Sequence, residues 1–317
     1  MLVAQTFHRF GAIVHVCAGV PFLEFGDMVG FRFGVNMGLQ GSRFEWVDKA
    51  RRAEMLGYDV FAVPDHLGMP APLPTLSLAA EATERIGLGT FVLNTPFYNP
   101  VLLARDVAAL DQFSGGRVEL GLGAGHVKEE FDAAGIPFPS AGARIDHVEQ
   151  TVLTLRKLYS APEYQPAPAQ PEGPSVLIAG WGNRLLRMAA QHADVVGLTG
   201  AAAAKSGLLT AAGADEVAER AEYVRGLLGE RRDQVELNLL IWGVGTPAER
   251  DTVGERVRQS LPGFTDDQIG AAPAVMVGTP QQIADSVREC RERYGITYFT
   301  VVEPDLEKFA PVIELLK

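Results

Sequence analysis

The sequence predicts an α/β fold, a (β/α)8 TIM barrel with insertions after strands 4 and 7, from three observations. Eight β-type runs are separated by stretches of helical periodicity. Several of the runs are continuously apolar, which suits strands covered on both faces of a parallel sheet better than half-exposed hairpin strands. Eight βα units in roughly 285 residues is the arithmetic of such a barrel. An open doubly wound sheet is the alternative that the same alternation allows.

In chain order the runs are 31–38, 58–66, 86–94, 117–125, 175–182, 194–200, 235–245 and 296–304. Between them, Ser42 and Glu45 have the spacing of a capping box opening a helix, and Thr246-Pro247 and Thr279-Pro280 set a capping hydroxyl before a proline at the first helical position. Ile145, Val148, Val152, Leu155 and Leu158 recur at spacings of three and four, the mark of one buried helix face. Insertions are expected at 126–142, at the Pro-rich loop 161–174 and at 261–279. Residues 1–27 carry no βα pattern. Their apolar stretch from Phe10 to Val20 is short and broken by His15, and Met28 stands before the first strand as a plausible initiator. The expectation is an extension at 1–27 and a single barrel domain at 28–317.

Composition narrows the function. The 317 residues are 47% hydrophobic and 21% charged, enough to bury a full core. With 28 Lys and Arg against 39 Asp and Glu the net charge is −11, and no basic run exceeds two residues, which argues against a nucleic-acid partner. No apolar stretch reaches the roughly 18 residues a membrane helix needs. Cys17 and Cys290 have neither metal spacing nor the density of a disulfide framework, so a reducing compartment fits. Metalloprotease, P-loop and serine-nucleophile patterns are missing from the sequence, and no metal is expected.

Reactive residues of a barrel project from the carboxyl ends of its strands. Strand two ends in Asp65-His66, strand three in Asn94, strand four in Gly121-Leu122-Gly123-Ala124-Gly125-His126, and strand five in Gly180-Trp181-Gly182-Asn183-Arg184. His66 and His126 are candidate proton-transfer groups because imidazole titrates near neutrality. His147 and His192, on helices, read as structural, and Glu129, Glu130 and Asp132 as a solvated helix start. Glycines 121, 123 and 125 fail the dinucleotide fingerprint, since His126 stands where the third glycine belongs. They either relieve crowding at a barrel corner or let the backbone approach a planar ring. Gly180 to Arg184 leave a strand for a helix, aiming free N–H groups and a cation at any bound anion. Cys290 shares a helical stripe with Ile283 and Val287 and reads as core.

The stretches FRFGVNMG, YDVFAVPDHLG and IGLGTFVLNTPFYNPVLLARDVAALDQFSGGRVELGLGAGHVKEEFDAAGIPF resemble the luciferase-like monooxygenase superfamily, and within it the coenzyme F420-dependent oxidoreductases. The likeness continues through IAGWGNRLLRMAAQHADVVGLTG and VGTPQQIADSVRECRERYGITYFTV, so it covers nearly everything after Met28. It implies a cytoplasmic barrel, dimeric through helices near strands two to four, that transfers a hydride between the deazaflavin and a small organic substrate. Carried over, Asp65 and His66 lie beside the reactive ring, with His66 as acid/base. Phe91 and Val92 match a non-proline cis peptide bulge behind the ring, Asn94 meets its edge, and Gly123, Ala124 and Gly125 line its other side. Gly180, Trp181, Gly182 and Asn183 match the loop that holds the cofactor phosphate, with Arg184, Arg187 and Lys128 as cations along its tail. His126 departs from the pattern, where relatives often carry an acid or an aromatic. The position after His66, Leu67, lacks the bulky aromatic of sugar-phosphate members. An FMN-dependent monooxygenase on the same barrel is the alternative, and a non-catalytic cofactor-binding barrel is the alternative of another class. Leu102, Leu103, Val107 and Leu110 on 101–113 are expected to supply an apolar dimer face, although covering the barrel would also account for them.

Overall fold

A computed structural model describes residues 30–203 and 208–317. The expected extension at 1–27 lies outside the described residues. Eight parallel strands close on themselves: β1 (Arg32–Asn36), β2 (Val60–Val63), β3 (Gly87–Thr90), β4 (Val118–Gly123), β5 (Ser175–Gly180), β6 (Val195–Leu198), β7 (Glu236–Ile241) and β8 (Tyr298–Val302). Each pairs with its neighbours in sequence, β8 returns to β1, and β3 pairs with β4, so the sheet has no edge and the open alternative is excluded. Every expected strand lies within its expected run.

Strand alternation divides the side chains into two layers. Phe33 and Val35 of β1, and Met37 just beyond it, point outward and are fully buried under the helices. Val60, Ala62, Phe91, Leu177, Ala179, Val195, Leu240 and Tyr298 fill the lumen. The outer ring is α1 (Arg43–Met55), α2 (Pro72–Ala82), α3 (Pro100–Ser114), α4 (Lys128–Ala134), α5 (Ala141–Tyr159), α6 (Asn183–His192), α7 (Ala214–Leu228), α8 (Arg250–Ser260), α9 (Pro280–Tyr294) and α10 (Leu306–Leu316). Helix α1 opens on the expected capping box, in which Ser42 N–H donates to the Glu45 carboxylate at 2.6 Å. Thr279 and Gln282 do the same for α9. Val148, Val152 and Leu155 of α5 are buried against the barrel, each contributing roughly 1.5–3 kcal/mol. Cys290 is core as expected, and burial pushes its thiol up to about 12.

Three departures from the expected pattern bear on function. The third run, 86–94, is not one strand: Gly89 pairs with Glu119, but Leu93 pairs with Leu122, so β3 holds one residue more than its partner over this interval. That is a β-bulge, and the peptide Phe91–Val92 within it is cis. The seventh run breaks at Trp242, after which Gly243–Gly245 leave the barrel to pair with Val275–Val277 of the 261–279 insertion. After β6 an unforeseen hairpin pairs Ala201–Ala203 with Leu209–Ala211.

The amino end of the lumen is closed by charge. Arg32 reaches Glu119 at 2.8 Å and Glu236 at 2.6 Å, its guanidinium lies 4.3 Å from the Tyr298 ring centroid, and Tyr298 Oη donates to Glu119 at 3.0 Å. Burial lifts the Glu236 carboxyl above its ordinary value, partly offset by Arg32. Among the described residues no ion-pair cluster of this kind fills the lumen at the carboxyl end, the mouth at which a barrel binds its ligands.

Candidate active site at the barrel mouth

The ends of β2, β3 and β4 are tied into one unit by polar groups. Asp65 Oδ2 accepts from Asn94 N–H at 2.9 Å and from Tyr98 Oη at 3.0 Å, so a side chain from the end of β2 fixes the backbone after β3. Burial raises the Asp65 carboxyl above its ordinary value, opposed by these two hydrogen bonds and by His66. Burial together with Asp65 raises the Tyr98 phenol. His147, expected to be structural, meets the Tyr98 carbonyl oxygen at 3.1 Å and braces this corner from α5.

The bulge is seated against the β4 glycines. Thr90 Oγ1 donates to the Gly121 carbonyl at 2.7 Å and accepts from Gly121 N–H at 2.9 Å. A Cβ at Gly121 would stand 1.9 Å from the Thr90 carbonyl oxygen, and one at Gly123 would stand 2.5 Å from Val92 Cγ2. At Gly125, whose φ is +64°, it would stand 2.2 Å from Asn94 Oδ1. Crowding inside the protein therefore accounts for all three glycines without a ligand, the structural one of the two readings left open by the sequence. Arg144, from α5, anchors the same loop by donating to the Ala124 and Gly125 carbonyls at 3.1 Å each.

Two amides at this mouth carry buried, unpartnered acceptors. Asn94 is buried with Oδ1 unpaired. Asn36, at the end of β1, donates through Nδ2 to the Phe91 carbonyl at 3.2 Å while its Oδ1 is also unpaired. A buried acceptor without a donor costs about 1–3 kcal/mol, so the pair suits a ligand that brings N–H or O–H groups to the bulge.

His66 and His126 lie edge to face, ring centroids 6.3 Å apart at 86°. Loss of hydration and the neighbouring His66 push His126 below its ordinary 6.5, against a raising effect of Glu130. His66 Nδ1 and Glu130 Oε1 are hydrogen-bonded at 2.9 Å, and the Glu130 side chain is 13% exposed. Glu130 is thus not part of a solvated helix start: helix α4 docks through Phe131, which turns the adjacent acid inward. Glu129 is exposed, and Asp132 pairs with Lys128 at 2.5 Å, as the sequence pattern implied for surface residues.

The β5 end keeps its expected place and loses one expected property. Gly182 caps α6 with no side-chain acceptor, leaving the first N–H groups of the helix without a side-chain partner. Trp181 is partly buried against the core. Asn183 Oδ1, however, accepts from Arg220. Arg184, expected to be an open cation, pairs with Asp146 at 2.5 Å, and Lys128 is likewise neutralised, so neither offers an unscreened charge. Arg187 reaches the Tyr223 hydroxyl at 3.3 Å. Asn36, Tyr98, Glu130 and Arg144 escaped sequence reasoning; the Lys128-Glu129-Glu130-Phe131 string holds one weak signal, an aromatic able to seat the helix.

A cavity of about 220 Å³ lies elsewhere, between α7, α9 and the 261–279 insertion, and no strand-end residue of the barrel mouth lines it. Among the described residues no His, Cys, Asp or Glu cluster could hold a metal ion.

A family model described as luciferase-like monooxygenase matches residues 23–298. The F420-dependent glucose-6-phosphate dehydrogenase of Intrasporangium calvum is 35% identical over 127 residues, 37% of this chain and 38% of that protein. The chain thus spans well under half the length of the curated relative it matches. Among solved structures, an F420-dependent secondary alcohol dehydrogenase in complex with an F420-acetone adduct has a TM-score of 0.70 at 18% identity, over 91% of this chain and 98% of that one. A monooxygenase from Streptomyces bottropensis has a TM-score of 0.70 at 20% identity, over 90% and 97%. At such identities the structural likeness is one of fold.

Proposed function

The chain belongs to the luciferase-like monooxygenase family, and we propose that it acts as a coenzyme F420-dependent oxidoreductase on a small organic substrate. The observation that carries this reading is the His66–Glu130 pair at the barrel mouth, beside the strand ends that Asp65 ties together. The aligned F420-dependent relative supports the choice of cofactor. When bound, the deazaflavin supplies or accepts the hydride, and the protein's task is orientation and one proton transfer.

The residues present fit that group. Phe91 and Val92 would back the ring, Asn94 and Asn36 would offer their unpaired oxygens to its edge, and Gly123 at the end of β4, with Ala124 and Gly125 just beyond it, would line its other side. Gly180, Trp181, Gly182 and Asn183 receive the phosphate at the start of α6, with Arg184 nearby. His66 holds or releases the proton that balances the hydride, and His126 serves as the second acid/base.

The rim favours an uncharged substrate. Leu39, Leu67 and Met69 are exposed on the loops after β1 and β2, which are joined by a hydrogen bond from Gln40 to the Gly68 carbonyl. Lys49 is already paired with Glu303 at 2.7 Å. A phosphorylated sugar would find apolar side chains and neutralised cations there.

Assembly is a homodimer through α3, and the location is cytoplasmic. No described helix is long and apolar enough to cross a membrane. The expected dimer face needs correction: Leu103, Val107 and Leu110 are buried against the barrel of their own chain, so covering the barrel explains them. Val101, Leu102 and Phe113 remain exposed on α3 and form the face proposed here.

The test of function is turnover. His66→Ala should cut single-turnover hydride transfer, normalised to bound deazaflavin, by about 10²- to 10⁴-fold, the usual worth of a placed acid/base. A near-normal rate would move the role to His126. FMN-dependent oxygenation of the same substrates would favour the monooxygenase reading, which the description of the family model also covers. Binding without turnover of any kind would favour the non-catalytic barrel.

A further inference from the structure

Within that reading of the barrel mouth, the geometry points to Glu130 as a positioning residue: it holds the proton on Nδ1 of His66 and so makes Nε2 the atom through which the ring exchanges protons. A neutral imidazole carries one N–H, and a carboxylate that accepts from one nitrogen leaves the other as the acceptor. Among the described residues, three titratable groups lie beside His66 on the elements packed against it. Asp65 from β2 is committed to Asn94 N–H and Tyr98 Oη. His126, on the loop after β4, presents its ring at right angles to that of His66. Glu130 from α4 is the one in hydrogen-bond contact, at 2.9 Å.

The pairing is built into the fold. Helix α4 is short, and its seat is Phe131, fully buried with its ring 4.9 Å from both Phe97 and Phe138. Phe97 belongs to the turn after the bulge, so the segment that carries Asn94 also sets the depth of α4 and the reach of Glu130. The carboxylate beside His66 comes from four residues beyond His126, on the helix that Phe131 seats.

Nitrogen-15 NMR of histidine-labelled protein without cofactor tests this, because the two imidazole tautomers differ in their nitrogen shifts. The wild type should show His66 as the Nδ1–H form. Glu130→Gln keeps an acceptor oxygen and should preserve that form, whereas Glu130→Ala should shift the population to Nε2–H. In turnover assays Glu130→Ala should lose about tenfold in kcat, with deazaflavin Kd and Tm within error of wild type, and Glu130→Gln should recover most of it. A wild-type His66 protonated on Nε2, an unchanged tautomer in Glu130→Ala, or an unchanged kcat would each overturn the assignment. The expected tautomer pattern in a chain that binds no deazaflavin supports the pairing and refutes the cofactor reading instead.

Discussion

Asn94 Oδ1 occupies the place that a side chain on Gly125 would need, at 2.2 Å from an ideal Cβ. The amide is buried, its backbone N–H is held by Asp65, and Gly125 has a φ of +64°. Gly125→Ala therefore meets both a steric block and a left-handed backbone and should lose about 2–3 kcal/mol of stability. Thermal unfolding would show this as a lowered Tm. Asn94→Ala in the same background should recover part of the loss, since it removes the clashing oxygen.

Asp65→Asn tests the brace between β2 and β3. Burial raises the Asp65 carboxyl above its ordinary 3.8, so the folded chain holds that proton more tightly than the unfolded one. Its favourable contribution is complete below the ordinary value and is lost as pH rises through the raised one. Urea titrations should find wild type losing stability relative to Asp65→Asn across that interval, with no further divergence above it. A difference of opposite sign would mean that the hydrogen bonds from Asn94 and Tyr98 outweigh burial.

The α3 surface makes a split expectation. Leu102→Glu and Phe113→Glu place charge on exposed positions and should yield a folded monomer of 34.1 kDa by light scattering, where wild type gives twice that mass. Leu103→Glu places charge in the core and should prevent folding. A wild type that is monomeric at micromolar concentration would remove the dimer.

Arg184 and Asp146 give an electrostatic test. Their pair is exposed, so its worth to stability is about 0–1 kcal/mol, but it screens the cation from an anionic cofactor tail. Asp146→Ala should tighten deazaflavin binding by about two- to fivefold at low salt, and Arg184→Ala should weaken it by a similar factor. Both effects should shrink as ionic strength rises. Fluorescence titration at two salt concentrations measures them.

The barrel was legible because its strands are apolar on both faces and its helices carry their own start signals at Ser42 and Thr279. What escaped depends on relations between segments. One extra residue between Gly89 and Leu93 leaves no mark on an apolar run, because a bulge exists only relative to the partner strand. The hairpin after β6 opens on a run of alanines, which have low strand propensity. Glu130 stands beside another acid of the same chemistry, and only the seating of Phe131 distinguishes it. Arg184 finds Asp146 across 38 positions of sequence, a neighbour that no local pattern reveals.

The most direct measurement is a competition for the barrel mouth: anaerobic titration of the 317-residue chain with coenzyme F420 and, separately, with FMN, followed by fluorescence. Deazaflavin should bind at least about tenfold more tightly, a difference of about 1.4 kcal/mol, with Asn94→Ala weakening it. Equal or tighter binding of FMN would contradict an F420-dependent oxidoreductase and assign the site to the flavin chemistry of the same family.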